Sequence, residues 1–328
     1  MKTNKKVGKI AILLFLFTLL LGLPMVVSTS LIYFLGLMFI FLVYVVSWDI
    51  VAGQTGQINL GHTVFIGIGG YTTALLQTPS RLAKLGLVLP GIPIWLSILL
   101  GGANALVFGL IIGIVCLRLR GYYLALVTAV LPLVLIQLVN IYSTIFGGYE
   151  GFSVGLNNAL ASSVEGRYYI SMLVSFACLL LMYLILKSKI GIKFRAIRED
   201  EDLAESIGMN VVRYKLLAFL ISAFFAGIAG ALMVHYRLTV GVDLFGIPLM
   251  LMIILAAIIG GLGNFEGVVL GAVLIYSLKN WIIRDLLDFM RLSVTDEMIL
   301  YMLLIFLILK APEGIFHELS KFLGKFAK

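Results

Sequence analysis

Long apolar runs alternate with short polar gaps along almost the whole chain. A helix needs about 20 apolar residues to cross the hydrocarbon core of a bilayer. By that measure the pattern predicts about ten spans, near 10–28, 31–51, 57–77, 92–117, 121–145, 168–186, 216–237, 246–262, 265–283 and 298–310. The run at 57–77 is crowded with glycine and is the least regular, so a broken helix is expected there. The turn between 246–262 and 265–283 is short enough for a re-entrant hairpin. The apolar run after Met1–Lys9 has the outline of a signal peptide. It reaches about 18 residues, however, and Ser28–Ser30 lead straight into the next span, so a retained first helix is the better reading. No polar stretch is long enough to fold alone. Residues 1–328 are expected to form one all-α, polytopic membrane domain.

Composition agrees with this pattern. The chain is 62% hydrophobic and 12% charged, against about 25% charged in soluble domains. A net charge of +8 would suit a nucleic-acid binder, but the basic residues fall in the gaps between apolar runs. That is how membrane proteins fix their orientation. With the N-terminus inside, 17 of the 24 Lys and Arg lie on the inner side. These are Lys2, Lys5, Lys6, Lys9, Arg118, Arg120, seven from Lys187 to Lys215, Lys310, Lys321, Lys325 and Lys328. The reading is therefore N-in and C-in. Cys116 and Cys178 sit in apolar runs and are expected to be buried free thiols, with neither a disulfide framework nor a metal site.

One internal stretch departs from the apolar rule. Lys187–Lys215 reads KSKIGIKFRAIREDEDLAESIGMNVVRYK and holds 12 of the chain's 40 charges. Within it, REDEDLAESIG predicts a short helix over 198–208. Glu199, Asp200, Glu201 and Asp202 would occupy its first turn, where the helix dipole favours acids, and Gly208 would end it. Leu203, Ile207 and Val211 would make an apolar stripe. Glu201, Ala204, Glu205 and Gly208 would make a neighbouring face. So short a helix is not stable alone. It needs a surface, which is either the bilayer interface or a partner protein.

Other candidate chemistry is sparse. Glycines cluster at 53–61, 67–70, 227–230 and 260–271. They imply either close helix packing or unwound segments lining a cavity. Gln54, Gln57, Asn59 and His62 put polar groups on one such stretch, and a translocation path is placed there. His62 alone reads first as a satisfied packing residue. Asp49 is an ionisable group beside the same stretch, either functional at membrane depth or reaching the interface. Gly147–Gly151 reads as a structural turn. There is no GxxxxGK[ST] phosphate loop, no HExxH and no Cys/His cluster. No catalytic residue and no metal ligand is assigned.

Several segments resemble one family. AIREDEDLAESIGMNVVRYKLLAF is similar to the coupling loop of ABC-importer permeases. GQINLGHTVFIGIGGYTTALL (56–76), LRLRGYYLALVT (117–128), SAFFAGIAGAL (222–232) and IIGGLGNFEGVVLGA (258–272) resemble branched-chain amino acid permeases of the LivH/LivM family, and in the family's order. The LRLRG element points to the LivM-like side. The resemblance implies a multi-pass protein of the cell (inner or plasma) membrane with no cofactor of its own. It implies a second, LivH-like permease subunit, two cytoplasmic ABC ATPase subunits that bind the ATP, and an extracytoplasmic substrate-binding protein. Carried over, Glu201, Ala204, Glu205 and Gly208 fall on the ATPase-coupling motif; Leu203 departs from the Ala that often precedes Ala204. A homodimer and a heterodimer both stay open, as do related substrates such as urea or short amides. The rival class is a secondary transporter or channel, which would need ionisable groups within its spans. The spans carry few, with Asp49, Lys279 and Asp243 as the candidates, all near predicted ends.

Overall fold

The computed structural model describes residues 20–84, 86, 91–116, 122–283, 295, 298–299, 301–302 and 305–306. Most of the expected spans at 10–28 and 298–310 lie outside these residues. So do the first five residues of the LRLRG element and the basic residues before Arg81, at 118 and 120, and from 284 onward. Among the described residues the protein is helical, with a single pair of two-residue strands.

The principal helices are α1 (Thr29–Thr55), α2 (Thr63–Leu76), α3 (Ile94–Cys116), α4 (Tyr122–Ile141), α5 (Val164–Lys187), α6 (Lys189–Glu199), α7 (Glu201–Ser206), α8 (Val211–Arg237), α9 (Ile247–Gly260) and α10 (Phe265–Ser277). Five of them, α1, α3, α4, α5 and α8, are long and apolar enough to cross a membrane; α2 and α9 are shorter apolar helices. The expectation of an all-α, polytopic membrane protein holds.

Helix α1 is buried on every side from Met38 to Thr55. A helix that is apolar all round belongs inside a bundle, and α1 packs against α5, α8 and α10. Helix α8 is the second central element, set against α3, α2 and α1. Helices α3 and α4 lie outermost, with Leu99, Ile111, Leu126 and Leu133 turned outward. That is the composition a lipid-facing surface requires.

Small residues decide which helices touch. A Cβ on Gly69 would sit 2.1 Å from the Gly227 carbonyl oxygen, and one on Gly230 would sit 2.0 Å from that of Ile66. Neither neighbour is a side chain that could turn away. Helices α2 and α8 therefore meet backbone to backbone. Helix α3 joins the same seam, where Gly101 approaches the Gly69 carbonyl. Gly260 and Gly267 repeat the device between α9 and α10. These two helices form a hairpin around Gly261–Asn264, and α10 runs on into a π-helical segment at Leu278–Ile283.

Some predicted boundaries shift. The 121–145 run ends as α4 at Ile141; Tyr142 interrupts it, and Ser143–Phe146 forms a separate turn. Helix α5 starts at Val164 rather than 168 because the Ser163 hydroxyl accepts the Gly166 N–H. At the end of the bundle opposite α6 and α7, Phe152 pairs with Val240 and Ser153 with Thr239. Gly147, Gly148 and Gly151 all have positive φ, which fits the expected structural turn.

Replacing Gly230 with Ala should cost about 1–3 kcal/mol through overpacking. Thermal unfolding in detergent should show a lowered midpoint. Gly91→Ala, where an added Cβ meets nothing within 4 Å, should leave the midpoint unchanged.

Candidate functional site

The charged stretch folds as two short helices, not one. Ser188 both ends α5 and caps α6, accepting the Ile190 N–H. Helix α6 buries Gly191, Phe194 and Ile197, and its Arg195 donates back to Leu186 O. Asp200 then adopts extended backbone, and its carboxylate accepts the Leu203 N–H at 2.9 Å. This is an N-cap, so the chain breaks before α7. Glu199 consequently closes α6 and Asp200 is the cap. Only Glu201 and Asp202 occupy the first turn, where all four acids were expected. Gly208, at φ +85°, ends α7; its N–H reaches Glu205 O, and the Met209 N–H reaches Ala204 O. Asn210 caps α8 by accepting the Arg213 N–H.

The expected faces are also redrawn. Ala204 is buried with Ile197 and Val211, flanked by Met209 and Tyr214. Val211 begins α8 and points inward, so it does not extend a stripe with Leu203 and Ile207. Those two are 60% and 70% exposed. Glu201 braces α7 onto α8 through an ion pair with Lys215 at 2.5 Å. Lys193 stacks over the Tyr214 ring and donates to its hydroxyl. Of the four motif residues, Ala204 and Glu201 therefore seat the helix, while Glu205 and Gly208 lie on its exposed side.

Gln54 lies in the last turn of α1, and Gln57, Asn59 and His62 lie on the interruption between α1 and α2. Helix α1 ends at Gly56, whose φ of +72° is the left-handed C-terminal conformation glycine permits. Side chains satisfy the unwound backbone that follows. The Leu60 N–H donates to Thr128 Oγ1 at 3.0 Å, the Gly61 N–H to Asn59 Oδ1 at 2.9 Å, and Trp48 Nε1 to Asn59 O at 2.7 Å. Irregular backbone at membrane depth survives only with such partners. His62 is fully buried, with Nε2 3.0 Å from Ser47 Oγ and Nδ1 3.4 Å from Ser222 Oγ. It is a satisfied histidine. Gln57 differs: it is 5% exposed, and among the described residues neither of its amide atoms has a hydrogen-bond partner. Gln54 Oε1 and Asn59 Nδ2 share that condition. Buried polar atoms without partners are rare in folded proteins.

Nothing in the sequence pattern distinguishes Arg198, and Gly263 stands out only as a member of the 260–271 glycine cluster. Asp49, noted only as an ionisable neighbour, is buried and accepts the Gly263 N–H at 2.8 Å. An acid within an apolar run was the available signal. Arg198 was one of seven basic residues in the loop, with nothing to single it out. The chain also contains one literal Gly-x-Ser-x-Gly, at Gly151–Gly155. It is not a nucleophile elbow. Ser153 lies in the two-residue strand, with its hydroxyl donated to Leu238 O. Among the described residues no three His, Cys, Asp or Glu side chains gather as a metal set. Cys116 and Cys178 are free and buried.

Residues 30–309 match the family model described as "Branched-chain amino acid transport system / permease component". The chain belongs to this permease family. It is 28% identical over 307 residues to the high-affinity branched-chain amino acid transport system permease protein LivM of Escherichia coli (strain K12), covering 85% of this chain and 70% of that one. It is 25% identical over 289 residues to the corresponding LivH of the same strain, covering 82% and 89%. A probable LivM of Methanocaldococcus jannaschii is 26% identical over 245 residues, covering 70% and 68%. No solved structure matches. The family match spans every helix from α2 to α10 and nearly all of α1. Both the α6–α7 segment and the α1–α2 interruption thus belong to the permease itself, a multi-pass membrane transport component.

Removing the Glu201 carboxylate leaves the nearly buried Lys215 ammonium unpaired. The Glu201→Ala variant should lose about 1–3 kcal/mol locally. Amide exchange over residues 204–208 should accelerate several-fold. Replacing Glu201 and Lys215 together with Leu should restore most of the protection, because a matched apolar pair carries no stranded charge.

Proposed function

We propose that the chain is one permease subunit of an ATP-driven, binding-protein-dependent importer of branched-chain amino acids in the cell (inner or plasma) membrane. A single domain provides the translocation path beside a second, LivH-like permease subunit. Two ATPase subunits dock on the cytoplasmic side, bind the ATP and hydrolyse it; this chain has no phosphate loop and takes no cofactor. An extracytoplasmic binding protein delivers the substrate.

The observation that carries this reading is α7. It is a six-residue helix capped at both ends and seated by Ala204 and Glu201, with Leu203 and Ile207 turned into solvent. A helix so short gains little from its own hydrogen bonds, and large apolar side chains gain nothing by projecting from it into water. It is shaped to be covered by another protein. Glu205 and Gly208 lie on its outward side, within the contact.

The path is proposed at Gln54, Gln57, Asn59 and His62. The unpaired amide atoms of Gln54, Gln57 and Asn59 offer both donors and acceptors, as a zwitterionic amino acid requires. His62, held between Ser47 and Ser222, fixes the start of α2 rather than meeting the solute.

The decisive measurement is leucine uptake by proteoliposomes carrying the chain with its partner subunits, with and without ATP. Uptake should require ATP and the full set of subunits. Uptake by the chain alone, driven by an ion gradient, would identify a secondary transporter instead. Within the complex, Gly208→Val and Glu205→Trp should each cut uptake at least tenfold while insertion is unchanged. Gly208 already holds a left-handed conformation that a β-branched residue resists, and Trp enlarges the contact face. Wild-type uptake in both variants would show that the segment is only a linker.

A further inference from the structure

One contact joins the proposed docking segment to the proposed path, and the inference drawn from it rests on that functional reading. Arg198 lies in the last turn of α6, two residues before the cap of α7. Its Nη1 donates to Gly53 O at 2.5 Å and to Leu262 O at 3.1 Å. The first carbonyl belongs to the last turn of α1, and the second to the turn between α9 and α10.

Gly53 O needs this donor. In a continuing helix it would accept the Gln57 N–H, but that group turns back to Val51 O at 3.2 Å as α1 ends. Carbonyls in a final turn lack intrahelical partners, and Arg198 supplies one from another segment. The α9–α10 turn is gripped through consecutive backbone groups. Leu262 O accepts from Arg198, the Gly263 N–H donates to Asp49, and Gly263 O accepts from Gln54 Nε2 at 2.7 Å. Gly263 has φ +79°, and a Cβ there would lie 2.0 Å from Arg198 Nη1. Only glycine leaves room for the guanidinium. The Arg198 stem also passes Gly56, whose added Cβ would lie 3.6 Å from Arg198 Cγ.

We propose that Arg198 is the positioning residue that makes the end of α1 and the α9–α10 turn move in step with α7. Through it, a displacement of the docking helix reaches Gly53, Gly56 and Gln54, at the edge of the interruption that carries Gln57 and Asn59. Asp49 and Gln54 hold the turn to α1 from within, and Arg198 is the one group of the three that belongs to the docking segment. A guanidinium suits this role because its Nη1 carries two N–H donors, one for each carbonyl, on a planar group that stays charged.

Two measurements test this. In proteoliposomes with the ATPases and binding protein, Arg198→Ala should lower leucine uptake at least tenfold. ATPase copurification and ATP hydrolysis should stay within twofold of wild type. Arg198→Lys, which keeps a charged donor, should recover part of the uptake. Uptake within twofold of wild type in Arg198→Ala, or a matching fall in uptake, hydrolysis and assembly, would overturn the proposal. The second measurement uses the purified permease without ATPases, with spin labels at the exposed positions Ile207 and Glu266 after Cys116 and Cys178 are replaced. The label distance should be narrowly distributed in the wild-type background and broad in Arg198→Ala. An unchanged distribution would remove the clasp whatever drives transport. Failure of wild-type permease to bind ATPases would instead remove the functional reading and leave the distance result standing.

Discussion

Backbone contact between α2 and α8 is the constraint on which the rest of the molecule depends. Lipid tails are as apolar as leucine, so helices in a bilayer gain no hydrophobic free energy by meeting one another. They associate where their surfaces approach closely enough for dispersion and polar contacts to prevail. Gly69, Gly227 and Gly230 give α2 and α8 that approach, and Gly101 admits α3 to the same seam. Once these axes are fixed, Ser222 reaches His62, and Thr73 and Ser97 reach His235. The start of α2 is fixed with them, and so is the interruption before it. The unusual polar segment is held in place by close backbone packing of its neighbours.

The interruption follows from a second rule, that no backbone polar group can remain unpaired in hydrocarbon. Leaving the helix at Gly56 frees several N–H and C=O groups, and side chains from α1, α4 and α6 take them up. Trp48, Thr128 and Arg198 each stabilise a different part of the same short segment. These bonds pin the segment's backbone, while amide atoms of Gln54, Gln57 and Asn59 have no hydrogen-bond partner among the described residues.

Much of this was legible in the sequence, for reasons specific to each element. Apolar run length alone marks α1, α3, α4, α5 and α8, because the bilayer fixes how long such a run must be. The glycine pattern marks the break before α2, since glycine both ends helices and admits close neighbours. Glu201, Ala204 and Glu205 fall on one short helix as expected, and Gly208 lies just past its end. What could not be read is how that helix sits. Asp200 looks like a first-turn acid until its backbone is seen to be extended, and Val211 looks like part of an exposed stripe until α8 is seen to carry it inward. Arg198 was hidden for the same reason. Its partners are main-chain carbonyls at Gly53 and Leu262, and a carbonyl leaves no trace in the pattern of side chains.

The two caps on α7 have one more consequence. Asp200 and Gly208 fix where the helix starts and stops, and Ala204 and Glu201 fix how it is seated. Leu203 and Ile207, the residues a partner would touch, take no part in either task. Within 200–208, the exposed Leu203 and Ile207 are thus separate from the residues that build and seat the helix, while Gly208 serves both as its end and on its outer side. Under the proposed function, substitutions at Leu203 and Ile207 would retune which partner is accepted without disturbing the bundle.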